Sequence, residues 1–269
     1  MMRLTEAADE QGPTLPNIAR IDDYWLGGEH HGERDRDFAD RTATCAPHIP
    51  YLVRAQRALL GRMVRYLARQ GVRQFLDLGS GLPTMGHIHE TARDIDPASR
   101  VVYVDRDPGV AAECRELLNG DQHAVLLQSD IREPAVIVET VRTLDLLDLS
   151  EPVAVLVIAT LQHIPDTDQP ADMIAAYMNA TCPGSYLAMS HYGPDTQLSA
   201  AYRIFDQMQL GRRPDVNLRD RTSLARFFAG LELVEPGIVP IVAWRPDPDD
   251  DLGHHWERMP INAGLGRKP

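Results

Sequence analysis

Between residues 51 and 70 the apolar side chains Leu52, Leu59, Leu60, Met63 and Leu67 recur at helical spacing, and Arg54, Arg57, Arg62, Arg65 and Arg69 fall mainly between them. That pattern predicts an amphipathic helix stopped by Gly71. Beyond Gly71 the period shortens. Runs rich in β-branched residues at 73–78, 100–104, 124–128, 152–158 and 185–190 predict strands, and the stretches 87–95, 109–118, 135–144 and 170–181 between them predict helices. Strict alternation of this kind requires parallel strands, right-handed crossovers and helices on both faces of the sheet. Residues 231–235 and 237–243 predict a hairpin added at the sheet edge. Ahead of the long helix, 17–26 and 35–44 predict two short helices, the first ended by Gly27-Gly28, while residues 1–16 are polar and aperiodic and predict a mobile tail. The chain thus divides into a tail (1–16), a helical cap (17–70) and an α/β core (71–269).

In an open parallel sheet a ligand sits beyond the carboxyl ends of the strands, so the residues following each strand carry the chemistry. The first strand runs into Asp77-Leu78-Gly79-Ser80-Gly81-Leu82-Pro83-Thr84. Glycines at this turn let backbone approach a ligand, and they also occur there for packing alone. Thr84 stands where a dinucleotide fingerprint has its third glycine, and Pro83 removes an amide donor, which disfavours a diphosphate. The second strand ends at Asp105, placed to accept from both hydroxyls of a ribose, and Asp107 is then free to cap the helix after it. After the third strand come Asp130 and Ile131, an acceptor for an adenine amino group and an apolar cover for its ring, although Asp in this position also serves turns. The fourth strand leads to Ala159-Thr160-Leu161-Gln162-His163-Ile164-Pro165. Small residues there leave room for a ligand, and His163 titrates near neutrality, so it can act as a general base or simply pin the loop.

Charge narrows the partners. The 269 residues carry a formal net charge of −12, which opposes a polyanion, so nucleic acid is not expected, and the local arginines, with Arg212, Arg213, Arg219 and Arg221 as a second group, read as a solvated helix face or a small-anion site. Cys45, Cys114 and Cys182 form no close pair, so neither a disulfide framework nor structural zinc is predicted, and a reducing cytoplasm is. The apolar run 153–161 is too short to span a bilayer. His87-x-His89 and His254-His255 lack acidic partners at ligand spacing, so no metal is expected.

The chain also resembles a family of S-adenosylmethionine (SAM) dependent methyltransferases abundant in actinobacteria and largely of unassigned substrate. The likeness rests on the Pro16 to Ile21 segment, Asp23-Tyr24-Trp25-Leu26-Gly27-Gly28, Val53-Arg54-Ala55, Phe75 to Thr84, Val101 to Pro108, Asp130-Ile131-Arg132, Leu161 to Pro165, Pro183-Gly184-Ser185-Tyr186-Leu187, Glu235-Pro236-Gly237 and Trp244-Arg245-Pro246. It implies a Rossmann-like class I fold with a mostly parallel seven-stranded sheet and N-terminal helices folded over SAM. It also implies Gly79, Ser80 and Gly81 near the methionine part, Asp105 on ribose, Asp130 near adenine, and Arg20, Tyr24 and Gly28 close to the cofactor. The strand-end reading adds Asp77, Arg106, Ile131 and Ala159 to the expected cofactor set and His163, with Tyr24 or Tyr192, as the group facing a small-molecule acceptor. His31, Gln56 and His87 stand where the family usually has Asn, which raises a non-catalytic SAM-binding protein as the alternative. A nicotinamide oxidoreductase is the other rival, disfavoured by the missing glycine. No membrane partner is expected, and a homodimer is left open.

Overall fold

The computed structural model describes residues 16–195, 216–248, 256 and 259–269. Most of the predicted tail lies outside these residues, as do Arg212, Arg213, His254 and His255. Three helices open the described chain: α1 (Ile18–Leu26), α2 (Glu33–Cys45) and α3 (Ile49–Arg69). There follow β1 (Gln74–Leu78), α4 (Ile88–Arg93), β2 (Arg100–Asp105), α5 (Pro108–Leu117), β3 (Ala124–Gln128), α6 (Pro134–Thr143), β4 (Val153–Ile158), α7 (Pro170–Ala180) and β5 (Tyr186–Tyr192). The chain closes with α8 (Arg221–Ala225), β6 (Glu232–Leu233), β7 (Val239–Pro240) and β8 (Ile261–Arg267).

One eight-stranded sheet results, in the order β3-β2-β1-β4-β5-β8-β6, with β7 also on β8. Strands β1 to β5 are parallel, and β1 lies between β2 and β4 with Asp77 opposite Tyr103 on one side and Leu156 on the other. The chain therefore reverses its direction of travel across the sheet at the β1/β4 boundary, which opens a crevice beyond the carboxyl ends of those strands. Alternate residues feed opposite layers. Phe75, Tyr103, Ala154 and Leu156 meet α3 and α4, whereas Leu76, Leu78, Val102, Val155 and Val157 meet α6, α7 and α8. Burial on both faces is why these strands read as continuous apolar runs.

The expected hairpin is corrected. Residues 232–233 and 239–240 do not pair with each other; each pairs antiparallel with β8, which inserts beside β5. A strand written Ile-Asn-Ala-Gly-Leu-Gly-Arg carries little β-propensity, and its glycines are a packing demand. A Cβ on Gly266 would come 2.8 Å from the Phe228 ring, and one on Gly264 would come 3.0 Å from Phe228 and from Ile238. Splitting the edge pairing between two short strands is also why eight strands stand where seven were expected.

The arginines of α3 form a solvated face only in part: Arg54 and Arg69 are exposed, but Arg62 is not. Arg62 is 7% exposed and donates to the carbonyls of Trp244 (3.1 Å) and Ile241 (2.7 Å), which ties the late segment onto the helix. Arg245 stacks over Tyr66 at 4.4 Å on the same side. Among the described residues no helix is long and apolar enough to cross a membrane.

Candidate functional site

The turn after β1 folds back on β2, since the amides of Gly79 and Ser80 both donate to the Val104 carbonyl, at 2.8 and 3.1 Å. Gly79 takes φ +77°, and a Cβ there would strike Thr160, whose Oγ1 would lie 2.9 Å away. Glycine is thus required because the β4 loop passes so close. The Asp105 carboxylate accepts from the Gly81 amide (3.0 Å) and the Asp107 amide (2.9 Å), which joins the first and second loops. Burial raises its pKa while those amides oppose the rise. Asp107 caps α5, accepting from Gly109 and Val110 at 2.8 and 2.9 Å, as the sequence pattern predicts.

The cap closes over this turn. Helices α1 and α2 pack through Ile21, Tyr24 and Trp25 against Phe38 and Ala39, and Ala19 comes within 3.4 Å of where a Cβ on Gly81 would stand. Asp23, 1% exposed, accepts from the Thr84 hydroxyl (2.7 Å) and the His30 amide (2.7 Å) and meets His31 Nδ1 at 3.3 Å. The Asp23 to Gly28 string and the first-strand turn therefore touch each other: the third-glycine position holds Thr, and its hydroxyl latches the cap. Gly28 is part of the latch, since a Cβ there would sit 2.5 Å from the Asp23 carboxyl carbon. Farther out, Arg20 Nε and His30 Nδ1 share the Glu113 carboxylate on α5, at 3.0 and 3.2 Å, beside a groove of about 940 Å³ that Gly109 also lines.

Behind the turn lies a charge cluster in which Asp23 and Asp77 are buried and Asp22 and Arg57 half-buried. Arg57 donates to the Thr84 carbonyl at 2.5 Å, and the charges of Asp22, Asp77, Tyr103 and Asp23 act on it. Burial pushes the carboxyls of Asp22 and Asp77 up to about 7 against the pull of Arg57.

These features have counterparts in known proteins. A family profile described as S-adenosyl methyltransferase matches residues 5–269. The chain belongs to this S-adenosyl methyltransferase family. A DUF574 family protein from Streptomyces avermitilis is 34% identical, with TM-score 0.86 over 95% of this chain and 98% of its own. A Thermobifida fusca protein proposed to be a methyltransferase is 36% identical, with TM-score 0.82 over 94% and 95%. The mitomycin 7-O-methyltransferase MmcR, 18% identical with TM-score 0.50, covers 93% of this chain and 68% of its own and shares the fold alone. No curated protein matches. The protein is a SAM-dependent methyltransferase with a Rossmann-like class I fold.

Within the methyltransferase, Gly79, Ser80, Gly81, Asp77, Asp105 and Ala159 come together at the β1/β4 crevice, and Arg20 lines the groove next to it. Ala159, at φ +52°, donates its amide to Ser190 Oγ at 3.1 Å. Asp130 lies at the third strand end, but its carboxylate is held by Arg132 at 2.6 Å and faces Arg106 at 3.6 Å, which lowers its pKa, Arg132 contributing most. Ile131 is a member of the α6/α7 core, 7% exposed. The Tyr24 hydroxyl is committed to Asp40 of α2 at 3.1 Å. His163 sits in a single 3-10 turn, Leu161–His163, with Nδ1 buried and without a partner among the described residues; burial, and secondarily Arg106, lowers its pKa to about 4.

The three family departures make internal bonds: His31 to Asp23, Gln56 from Ser190 Oγ at 2.6 Å, and His87 Nδ1 to the Tyr103 hydroxyl at 2.9 Å. Sequence reasoning did not single out Asp22, Asp23 and Arg57, which the structure places beside this turn. Asp23 was within a recognised string, whereas Arg57 was one arginine of a series and nothing in its spacing marked it.

Proposed function

We propose that the protein transfers a methyl group from SAM to a small-molecule acceptor bound at the mouth of the β1/β4 crevice. Convergence of four strand ends on that crevice supports the reading most directly: Gly79 lies against Thr160, Gly81 is bonded to Asp105, and Arg106 faces Asp130. The donor set suits SAM. The half-buried Asp105 carboxylate keeps lone pairs for ribose hydroxyls, the Gly79-Ser80-Gly81 turn, its amides already paired, offers backbone contact from two glycines to the methionine part, and Arg57, with the carboxyls of Asp22 and Asp77, offers a cation and two acids to an amino acid's carboxylate and ammonium. Asp130, already anchored by Arg132, is the acceptor assigned to the adenine amino group.

When bound, SAM supplies a methyl carried on a positively charged sulfur. The protein's part is to align an acceptor and keep water out, and the cap, latched through Asp23 and Thr84, does the second. His163 is uncharged at neutral pH because burial lowers its pKa to about 4; the neutral ring is free to accept a hydrogen bond from an acceptor that arrives protonated, and its strength as a base grows only as the developing positive charge of its imidazolium is stabilised.

Titration of the full chain with SAM by calorimetry tests the reading. Loss of charge-assisted hydrogen bonds in Asp105→Ala, each worth about 1.5–3 kcal/mol, should weaken binding by roughly 10- to 150-fold. Unchanged affinity in that variant would overturn the assignment of the crevice, and tight binding without consumption of any acceptor in a metabolite panel would favour a SAM-binding regulator.

A further inference from the structure

We propose that Arg219, with Asn217, is a positioning residue that clamps the loop after β4 and thereby presents His163 to the acceptor. The proposal rests on the reading of that loop as the acceptor side of the crevice. Arg219 is 6% exposed, and every N–H of its guanidinium has a partner. Nη1 donates to the Leu161 carbonyl (2.8 Å) and to His191 Nε2 (2.9 Å). Nη2 donates to the Ile164 carbonyl (2.7 Å) and to Asp166 Oδ1 (2.7 Å), and Nε donates to the same carboxylate oxygen at 3.0 Å. The guanidinium also lies 5.7 Å from the centre of the Phe227 ring.

Two residues earlier, the Asn217 amide donates to the Gln162 carbonyl at 2.7 Å, with its side chain at 3.3 Å from the same oxygen. The short segment 217–219 therefore takes up the carbonyls of Leu161, Gln162 and Ile164, which bracket His163 on both sides. The His163 amide is held from within the loop, by the Thr160 carbonyl at 3.1 Å. The segment is itself fixed to the sheet, because the Arg219 amide donates to the Tyr192 carbonyl (3.0 Å) at the end of β5. Two buried side-chain atoms of the loop have no partner among the described residues, Gln162 Oε1 and His163 Nδ1, and of these the His163 nitrogen is the titratable one.

His191 completes the clamp and settles its proton arrangement. Its Nε2 accepts from Arg219, so the ring proton sits on Nδ1 and is donated to the Tyr192 carbonyl at 2.8 Å. Burial lowers the His191 pKa to about 4, which keeps it an acceptor at neutral pH. The charged and titratable groups acting on His163 are Arg106 from the end of β2 and His191 from β5. A planar fork is needed at position 219 because the acceptors spread around the guanidinium; a lysine ammonium, with three N–H donors for four acceptor atoms, would leave at least one of them bare. Since the Asp166 side chain is 84% exposed, its ion pair is the expendable part, and the buried carbonyls and His191 are the parts that matter.

The test follows His163 by imidazole nitrogen NMR on the full chain, with its signal identified by its loss in His163→Gln. In the wild type the ring should titrate near pH 4. In Arg219→Ala the freed loop admits water, and the titration should move up by at least about one pH unit toward the ordinary value near 6.5. Arg219→Lys should not restore the wild-type curve. Arg62→Ala, which removes an equally buried arginine that anchors Trp244, should lower the melting temperature while leaving the His163 titration in place; this separates positioning from general loosening. A His163 curve in Arg219→Ala that overlays the wild type would overturn the proposal, and if that variant does not fold, an unshifted curve in Arg219→Lys does so. SAM calorimetry on the wild type checks the functional reading independently, so failure of one is not mistaken for failure of the other.

Discussion

Replacing Gly28 by Ala isolates the cap latch. Gly28, unlike Gly27 at φ +83°, is not among the residues with left-handed backbone, so alanine brings no backbone strain there. Its added methyl would sit 2.5 Å from Asp23 Cγ and 2.6 Å from Oδ2, well inside contact distance. The carboxylate cannot swing aside freely, because Thr84, the His30 amide and His31 hold it in a site only 1% exposed. Overpacking of this kind costs about 1–3 kcal/mol, and stretching hydrogen bonds to a buried carboxylate adds about 1.5–3 kcal/mol. A total near 3 kcal/mol corresponds to a fall in melting temperature of roughly 6–12 °C for a chain of this size. The informative comparison is the double-mutant cycle with Asp23→Ala, measured by thermal and urea unfolding. With the carboxyl gone, the three atoms nearest the methyl at position 28 are removed, so Gly28→Ala should then cost less than about 0.5 kcal/mol, a coupling of at least ~2 kcal/mol. Additive costs across the cycle would refute the latch.

Three further outcomes follow from titratable groups in the site. His163→Ala should cut turnover by roughly 10²–10⁴-fold once an acceptor is in hand while leaving SAM affinity near the wild-type value, and equal turnover would remove the ring from the chemistry. Burial raises the Asp77 carboxyl from about 3.8 to about 7 in the folded chain, so the folded state binds that proton more tightly than the unfolded one. Its stabilising contribution is complete below the unfolded value and is lost as pH rises through about 7; Asp77→Asn should flatten the stability profile between those limits, as melting curves across pH would read. SAM affinity should run the other way, rising through about pH 7 as Asp22 and Asp77 ionise to meet an ammonium, and a flat calorimetric profile would exclude them from that role.

Period and punctuation along the chain were enough to find the helices and the parallel strands, because a strand buried on both faces and a helix buried on one leave different marks in the order of side chains. The residues that follow β1, β2 and β4 were legible for the same reason: once the sheet is parallel, chain order alone assigns them to one end. The cap of α5 by Asp107 was readable as well, since it acts over three residues. The final strand was not. Its glycines weaken the local signal, and only Phe228 and Ile238, brought in from elsewhere, give it a reason to exist.

Local pattern, then, determined the elements, their order and the loops that carry glycines and acids, because those depend on neighbours within a few residues. Tertiary structure alone decided which charges matter. Arg57 reaches Thr84 across 27 residues, Asp23 reaches Thr84 across 61, Arg62 reaches Trp244 across 182, and Arg219 reaches Leu161 across 58. A hydrogen bond is specified by where two groups end up in space, and for pairs so far apart that is set by how the whole sheet and its helices close, which no window of sequence contains.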